Sequence, residues 1–294
     1  MEERLRKFAC LADSGSFTKA AARLRVSQPA LSTAVAKLER ELKAPLFVRG
    51  ARPLALTPAG ELAYQSAKDL AVQTDNLKLR LAELADEPVA LSVGMIDSIA
   101  HTLFSHGAGL ELAKGAQVSL VVNNSRYLMT AAERGEVDVA FIARPSGTLP
   151  ATLEAWPVAD EPLVIVSRTA GQQKDPQLAN FIAYDQPSNT FRLVNDALKK
   201  YGITPHISFY STSPDVTLRL VLSSHGTAAL PYLLVREYVA GGRLVRLGGQ
   251  TPWLIFRPIV MLHRRDRALP ASLDTLKRQT AQILAELTAH ANDT

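Results

Sequence analysis

The chain of 294 residues contains a single cysteine, Cys10, so it cannot form an intramolecular disulfide. Nothing in the sequence therefore requires an oxidising compartment. Cys10 lies among apolar residues at helical spacing, which indicates a small core residue rather than a nucleophile. The sequence also lacks an apolar run long enough to span a membrane, and its first residues, MEERLRKF, are charged where a signal peptide would be apolar. These absences predict a cytoplasmic protein with no membrane partner.

Signatures of catalysis and of cofactor binding are also scarce. The sequence has no P-loop, and Gly107-Ala108-Gly109 lacks the remaining glycine of a dinucleotide fingerprint. The histidines are scattered without the spacing of metal ligands; they are His101, His106, His206, His225, His263 and His290. We therefore predict no catalytic residues, no cofactor and no metal site, and we do not expect an enzyme.

Positive charge is concentrated at one end of the chain. Residues 1 to 60 hold 11 of the 33 Lys and Arg but only 5 of the 28 Asp and Glu, so this segment has a net charge of +6 and the remainder −1. Such segregation favours a segment that neutralises phosphates, although basic runs are more commonly solvated faces. Double-stranded DNA is the partner that this charge distribution predicts.

The run from Ser16 to Gly60 has the element order of a winged helix-turn-helix. A first helix with one apolar face leads to a turn at 13–15, and Ser16 and Thr18 are predicted to cap a second helix. Ser27 is placed as the N-cap of a third helix, with Pro29 in its first turn, where the missing N–H costs nothing.

On the third helix one apolar stripe faces inward, comprising Leu31, Val35, Leu38 and Leu42. The residues left on the outward face are small or polar, which suits contact with base edges in a major groove: Gln28, Pro29, Ser32, Thr33, Ala36 and Lys37. Two short strands, at 47–49 and 53–56, would flank a wing in which Arg49 and Arg52 lie near the phosphate backbone.

A long helix is predicted from Thr57-Pro58, an N-cap followed by proline, to about residue 86. Small and apolar residues recur along it with coiled-coil offsets, at Ala63, Ala67, Leu70, Thr74, Leu77, Leu81 and Leu84. This narrow seam has two interpretations: it pairs two chains, or it packs a single amphipathic helix on its own domain.

Beyond Pro88 apolar runs alternate with helical patterns. Extended runs are expected at 89–95, 118–122, 135–145, 156–167, 181–184, 206–210, 226–230 and 258–263. Helices are expected around 128–135, 191–198, 218–222 and 273–287. Alternation of this kind predicts an α/β fold with a parallel open sheet.

The chain closely resembles the LysR-type transcriptional regulators. The resemblance rests on SFTKAA, LRVSQPALS, LERELKAPLFVR and LTPAG, which occur in that order. It covers most of the chain and is strongest up to Gly60. Thr33 departs from the pattern, because many relatives carry a basic or longer polar side chain there.

The resemblance implies three regions: a winged helix-turn-helix at 1–57, a linker helix at 58–87 that pairs two chains, and an effector domain at 88–294. It implies a two-lobed effector domain similar to periplasmic solute-binding proteins, with lobe I at about 88–160 and 265–294 and lobe II at about 161–264. It also implies a homodimer or homotetramer, a small-molecule effector, and RNA polymerase as a further candidate partner.

Ligands of open α/β sheets bind beyond the carboxyl ends of the strands. The candidate effector contacts are therefore Asp97, Ser98, Ile99, Asn124, Ser125, Arg144, Thr190 and Phe191. Arg144 favours a carboxylate effector and Asp97 favours one with an amine or hydroxyl, so the polarity stays open. Polar residues after strands also cap helices, and Phe191 could belong to the core. The alternative function is a solute-binding protein without a transcriptional role.

Overall fold

The computed structural model describes residues 1–48, 50–51, 53–85, 89–105, 116–168, 180–186, 188–248, 253–270 and 272–293. The chain divides into two units. The first comprises Met1–Ala85 with Asp266–Ala268, and the second comprises Asp86–Arg265 with Leu269–Thr294. None of the helices in the described ranges is long and apolar enough to cross a membrane.

The first unit consists of four helices, α1 (Glu2–Ser14), α2 (Phe17–Leu24), α3 (Gln28–Leu42) and α4 (Pro58–Ala85). Gly15 ends α1 in the left-handed conformation, with φ of 59°. Ser27 caps α3 as predicted, since its side chain accepts from the backbone N–H of Ala30 at 3.3 Å. Ser16 occupies the N-cap position of α2 as predicted, but its side chain makes no cap hydrogen bond. The prediction that Thr18 caps α2 is wrong, since it lies within the helix and donates to Gln28.

Buried apolar side chains join these helices through two neighbouring clusters. Phe8 and Leu38 are fully buried in one, and Leu11 and Leu31 in the other. Each such side chain stabilises the fold by about 1.5–3 kcal/mol relative to exposure. Leu42, predicted as the last residue of the α3 stripe, is 38% exposed, because it lies in the final turn of the helix, beyond the packed segment.

The wing is reduced to a single antiparallel bridge between Phe47 and Leu56. The N–H of Val48 donates to the carbonyl of Ala55 at 2.9 Å, where two short strands were expected. Phe47 packs edge-on against Phe8, with ring centroids 5.3 Å apart, and anchors the wing to α1. Arg49 and Arg52 lie outside the described residues.

Helix α4 begins at a closely packed junction. The Thr57 hydroxyl accepts from the N–H of Gly60 at 2.9 Å and donates to the carbonyl of Pro45 at 2.6 Å, which confirms the predicted cap. A Cβ on Gly60 would overlap the carbonyl oxygen of Leu46, so only glycine fits there. Further along α4, Lys68 pairs with Asp13 of α1 at 3.0 Å, which fixes the start of the long helix to the helical bundle.

The second unit is built on a mixed sheet flanked by helices. Its strands are β1 (Val89–Met95), β2 (Ala116–Val122), β3 (Val139–Ala143), β4 (Leu153–Ser167), β5 (Phe181–Tyr184), β6 (Ile207–Ser211), β7 (Thr227–Pro231), β8 (Val245–Arg246) and β9 (Leu254–Arg264). Its helices are α5 (Asp97–Ser105), α6 (Ser125–Glu133), α7 (Asn189–Lys200), α8 (Pro214–Leu222), α9 (Tyr232–Ala240) and α10 (Ser272–Asp293).

The strand order is β2-β1-β3-β9-β4-β7-β5-β6, with β8 paired to β4. Strands β1, β2 and β3 are parallel and belong to lobe I, and β5, β6 and β7 are parallel and belong to lobe II. The long strands β4 and β9 cross between the lobes and pair antiparallel with each other and with their neighbours. The parallel pairing that the alternation predicted is therefore present within each lobe, and the strands that cross between the lobes add the antiparallel pairings.

The larger hydrophobic core spans both lobes, since it extends from β1 and β3 of lobe I to β7 and α8 of lobe II. The larger core includes β1, β3 and α6 and continues along β9 to α10, with Phe141 and Leu128 fully buried. A smaller core lies under α7, around Phe181 and Val194. Helices α5 and α9 were not foreseen, since their residues follow buried strands directly and add short apolar segments of no clear period.

Candidate functional site

The outward face of α3 is fully displayed by the first unit. Every residue predicted to face DNA that the structure describes is exposed: Gln28, Pro29, Ser32, Thr33 and Lys37. The opposite face is held by Leu31 and Leu38, which are buried. Arg4 of α1 forms a two-armed ion pair with Glu41, at 2.7 and 3.1 Å, which fixes the far end of the helix. The outward face of α3 is thus held in place by the packing beneath it and is accessible to a partner.

One residue of this face has a contact that orients it. The Thr18 hydroxyl of α2 donates to Oε1 of Gln28 at 3.4 Å. With its carbonyl oxygen engaged by α2, the Gln28 amide keeps both N–H groups to donate outward. Those donors match the acceptor atoms that purines present in the major groove.

Helix α4 has two apolar faces of different kinds. Val72 and Leu79 are buried within the single chain. On the other side a row of leucines is 41–86% exposed, comprising Leu70, Leu77, Leu81 and Leu84. The predicted seam is thereby divided. Among the described residues its first members, Ala63 and Ala67, are buried in the helical bundle, whereas its leucines remain exposed.

A cleft of about 620 Å³ lies between the lobes of the second unit. The first turns of α5, α6, α7 and α8 all contribute to its lining, so four helix N-termini meet at the cavity. Side chains cap three of them: Asn124 accepts from Tyr127 N–H, Ser188 from Phe191 N–H and Ser213 from Val216 N–H. Backbone N–H groups at these ends favour a ligand with acceptor atoms.

The structure brings five of the eight candidate effector residues into the lining: Asp97, Ser98, Asn124, Ser125 and Thr190. Ile99 is fully buried in the core of lobe I, because it points away from the cleft on the inner face of α5. Phe191 packs on the core of lobe II, 6.2 Å from the ring of Tyr210. These two side chains are structural and do not line the cavity.

Arg144 also lies outside the lining. Its side chain is exposed, and its position is set by its backbone, which donates to the carbonyl of Pro258 at 2.8 Å and accepts from Asn189 at 3.3 Å. The structure therefore gives no support to Arg144 as the charge that meets a carboxylate.

The arginine at the floor of the cleft is instead Arg257, on the crossing strand β9. Its Nε donates to Oε2 of Glu161 on β4 at 2.8 Å, and one terminal nitrogen contacts the same oxygen. The terminal nitrogens also donate to the hydroxyl oxygens of Ser98 at 2.7 Å and Thr190 at 3.3 Å. Arg257 and Glu161 are both buried. A charged residue thus connects both lobes beneath the cavity.

Burial shapes the ionisation of this group. Removal from water alone would lower the pKa of Arg257, but Glu161 and then Tyr184 outweigh that effect and raise the pKa above its ordinary value. Burial raises the pKa of Tyr184, which lines the cleft beside the guanidinium, to about 12, against the opposing influence of Arg257. Both groups therefore keep one protonation state at physiological pH.

Sequence reasoning missed Arg257, Glu161 and Tyr184. Glu161 and Tyr184 lie in runs that were expected only as strands, and Arg257 immediately precedes another. A signal was present, because charged residues interrupt otherwise apolar runs: two in ADEPLVIV and one in LIFRPIV. A buried charge requires a partner, although the sequence does not say which one.

Within the described residues no group of three His, Cys, Asp or Glu is placed to hold a metal ion.

An exposed helix-turn-helix face joined in one chain to a two-lobed cleft defines a ligand-responsive DNA-binding protein. Residues 3–61 match the family described as bacterial regulatory helix-turn-helix protein, lysR family, and residues 90–285 match the LysR substrate binding domain. The chain therefore belongs to the LysR family. It is a LysR-type transcriptional regulator with a helix-turn-helix domain and an effector-binding domain, and the solute-binding alternative finds no support.

Individual relatives of similar sequence are also named as transcriptional regulators. The Hca operon transcriptional activator HcaR of Escherichia coli strain K12 is 29% identical over 241 residues, which cover 77% of this chain and 80% of the relative. A probable RuBisCO transcriptional regulator of Trichormus variabilis is 28% identical over 277 residues, covering 87% and 82%.

Solved structures show the same fold. A variant of full-length OxyR from Pseudomonas aeruginosa has a TM-score of 0.67 at 24% identity, over 96% of this chain and 97% of that one. DarR of Vibrio fischeri in complex with DNA has a TM-score of 0.52 at 21% identity, over 96% and 99%.

Proposed function

We propose that residues 1–57 bind operator DNA, that residues 58–87 pair two chains, and that residues 88–294 bind a small effector in the cleft. The observation that carries this proposal is the outward face of α3, which is exposed, small and polar, and lies on the segment with a net charge of +6. A DNA-binding regulator acts on the chromosome, so we place it in the cytoplasm, without catalytic activity of its own.

In this proposal Gln28, Ser32 and Thr33 contact base edges, and Pro29 packs beside them. Lys37, with Arg49 and Arg52 of the wing, neutralises phosphates. The support is chemical: amides and hydroxyls discriminate base edges, whereas cationic side chains contribute affinity that depends on salt but not on sequence.

Two substitutions on the same helix face test this division of roles. Gln28→Ala should weaken binding to the operator by about 1–3 kcal/mol and leave binding to unrelated DNA nearly unchanged. The matched control Lys37→Ala should weaken binding to both duplexes alike and flatten the dependence of affinity on salt. Titration of labelled operator and scrambled duplexes measures both effects. Equal operator affinity in wild type and Gln28→Ala would contradict the assignment.

Pairing of two chains is supported by the exposed leucine row of α4. An apolar row of this length is costly to leave in water, and its coiled-coil offsets fit a second copy of the same helix. A homodimer is the smallest assembly that covers it, and two dimers would form a homotetramer that places paired helix-turn-helix units on DNA. RNA polymerase is then the partner through which bound regulators would change transcription.

Effector binding is supported by the cleft and by its polar floor, which reaches both lobes. A ligand that contacts both lobes favours one arrangement of them over another, by as much as its affinities for the two arrangements differ. The proposed outcome is a change in how paired DNA-binding domains meet the operator. The effector contacts we propose are Asp97, Ser98, Asn124, Ser125 and Thr190.

A further inference from the structure

Arg257 contacts one hydroxyl from each lobe at the floor of the cleft. Ser98 is the second residue of α5 in lobe I, and Thr190 is the second residue of α7 in lobe II. Both line the cleft and both are 7% exposed. Any role of these hydroxyls toward a ligand rests on the proposed function of the cleft as the effector site.

The donor and the acceptor in these two hydrogen bonds are fixed by chemistry. A guanidinium carries N–H donors and no acceptor, so the hydroxyl oxygens of Ser98 and Thr190 must accept from it. Each hydroxyl therefore retains its own hydrogen. Within the described part of the chain neither hydroxyl donates to another group, so both hydrogens are available to a ligand in the cavity.

The positive charge of Arg257 is compensated beneath the cavity. Glu161 takes two of the guanidinium contacts and is not among the residues that line the cleft. A ligand therefore meets two oriented O–H donors and, at the floor of the cleft, a guanidinium whose charge Glu161 already balances. Asp97, which favours a cationic ligand, is exposed at the mouth, where solvent screens it.

We infer that Arg257 is a positioning residue that holds Ser98 and Thr190 as a matched pair of donors, and that the effector carries a carboxylate which these donors bind together. One acceptor group would thus join α5 of lobe I to α7 of lobe II. Ser98 and Thr190 select the ligand, and Arg257 acts through them.

The selectivity is tested with named probes on the full-length protein. Acetate, succinate, benzoate and salicylate are each titrated beside the corresponding primary amide and the corresponding amine, by calorimetry and thermal shift. A carboxylate should bind at least about tenfold more tightly than its amide and its amine, since two donors facing one anionic group form charge-assisted hydrogen bonds.

Substitutions then separate positioning from direct contact. Ser98→Ala and Thr190→Val should each weaken carboxylate binding by about tenfold. The double variant Arg257→Gln/Glu161→Gln replaces the ion pair by two neutral amides of similar length and so preserves folding. In that background Ser98→Ala should change binding by less than about twofold, because the hydroxyl is no longer oriented. Ser125→Ala, a cleft hydroxyl without a contact to Arg257, is the control and should have the same effect in both backgrounds.

Each outcome decides a different statement. If Ser98→Ala loses about tenfold in both backgrounds, Arg257 is not a positioning residue. If amides or amines bind as tightly as the carboxylates, the paired-donor inference is wrong while the cleft remains the effector site. If no probe of any class binds while operator binding is intact, the proposed effector function itself fails.

Discussion

Two ion pairs, one in each unit of the chain, lie in opposite environments. Arg4 and Glu41, which join α1 to α3, have side chains that are 27% and 28% exposed. Arg257 and Glu161, at the floor of the cleft, are 5% and 3% exposed. The contacts are similar, but water shares in the first pair and is excluded from the second. Water can replace the partner in the first pair, whereas losing one member of the second pair leaves a buried charge uncompensated.

The largest expected effect comes from removing one member of each pair. Arg257→Met leaves the Glu161 carboxylate buried without its cation and should lower the free energy of unfolding by about 3–5 kcal/mol. The matched change Arg4→Met leaves Glu41 in contact with water and should cost about 0–1 kcal/mol. Urea unfolding monitored by circular dichroism measures both. Similar losses in the two variants would remove the contrast between the units.

The second effect concerns the outward apolar face of α4. Leu77→Asp would place a carboxylate in the proposed seam of each chain and should weaken dimerisation by roughly a hundredfold, about 2.7 kcal/mol. Ala71→Asp is the control, because Ala71 is exposed about 100° around the helix from Leu70. Sedimentation velocity over a range of concentrations decides it. A folded Leu77→Asp protein with unchanged association would show that another surface pairs the chains.

The third effect concerns Tyr184, which lines the cleft beside the buried Arg257. The pKa of Tyr184 lies near 12 in the folded protein and near 10 in an unfolded chain, so the unfolded state loses its proton first as pH rises. Stability from this group is thus fully present below pH 10 and declines toward pH 12, by on the order of 2 kcal/mol. Tyr184→Phe should show a shallower decline than wild type when unfolding is measured between pH 9 and 12. Parallel curves would place the phenol in contact with water.

The smallest expected effect concerns the exposed face of α3 in the first unit. Thr18→Val removes the hydroxyl that orients Gln28 and should reduce the preference for operator over scrambled DNA by less than about 1 kcal/mol. In a Gln28→Ala background the same change should have no effect on that preference. Competition binding with the two duplexes measures it, and a loss of equal size in both backgrounds would assign Thr18 a role independent of Gln28.

Local signals in the sequence were sufficient to predict where α3 and α4 begin. The cap at Ser27, the proline at 29 and the apolar stripe predicted where α3 begins and which face it displays. The same holds for Thr57 and the start of α4. These features depend on neighbours within one or two helical turns, so a periodic pattern carries them. The prediction that Leu42 belongs to the buried stripe was wrong for a related reason. Periodicity does not say where packing against the rest of the unit ends.

The cleft was only partly predictable. Residues that follow strand ends, such as Ser98 and Ser125, were located by topology alone. Arg257 and Glu161 could not be paired, because they are 96 positions apart and meet only when the crossing strands align. Arg144 was a candidate as the cation that follows a strand, yet it is not among the residues that line the cavity. Tertiary register, which the sequence does not display, decided each of these cases.

The junction at Gly60 also has a consequence for inheritance. Every missense change at a glycine codon adds a Cβ, and here that atom would collide with the backbone of Leu46, which no side-chain rotation relieves. The codon for residue 60 is thus closed to all amino-acid change, whereas neighbouring codons for exposed residues such as Glu61 and Leu62 are open. In a random mutagenesis library selected for function, position 60 should therefore remain glycine in every functional clone. That invariance would reflect the close packing at the start of α4.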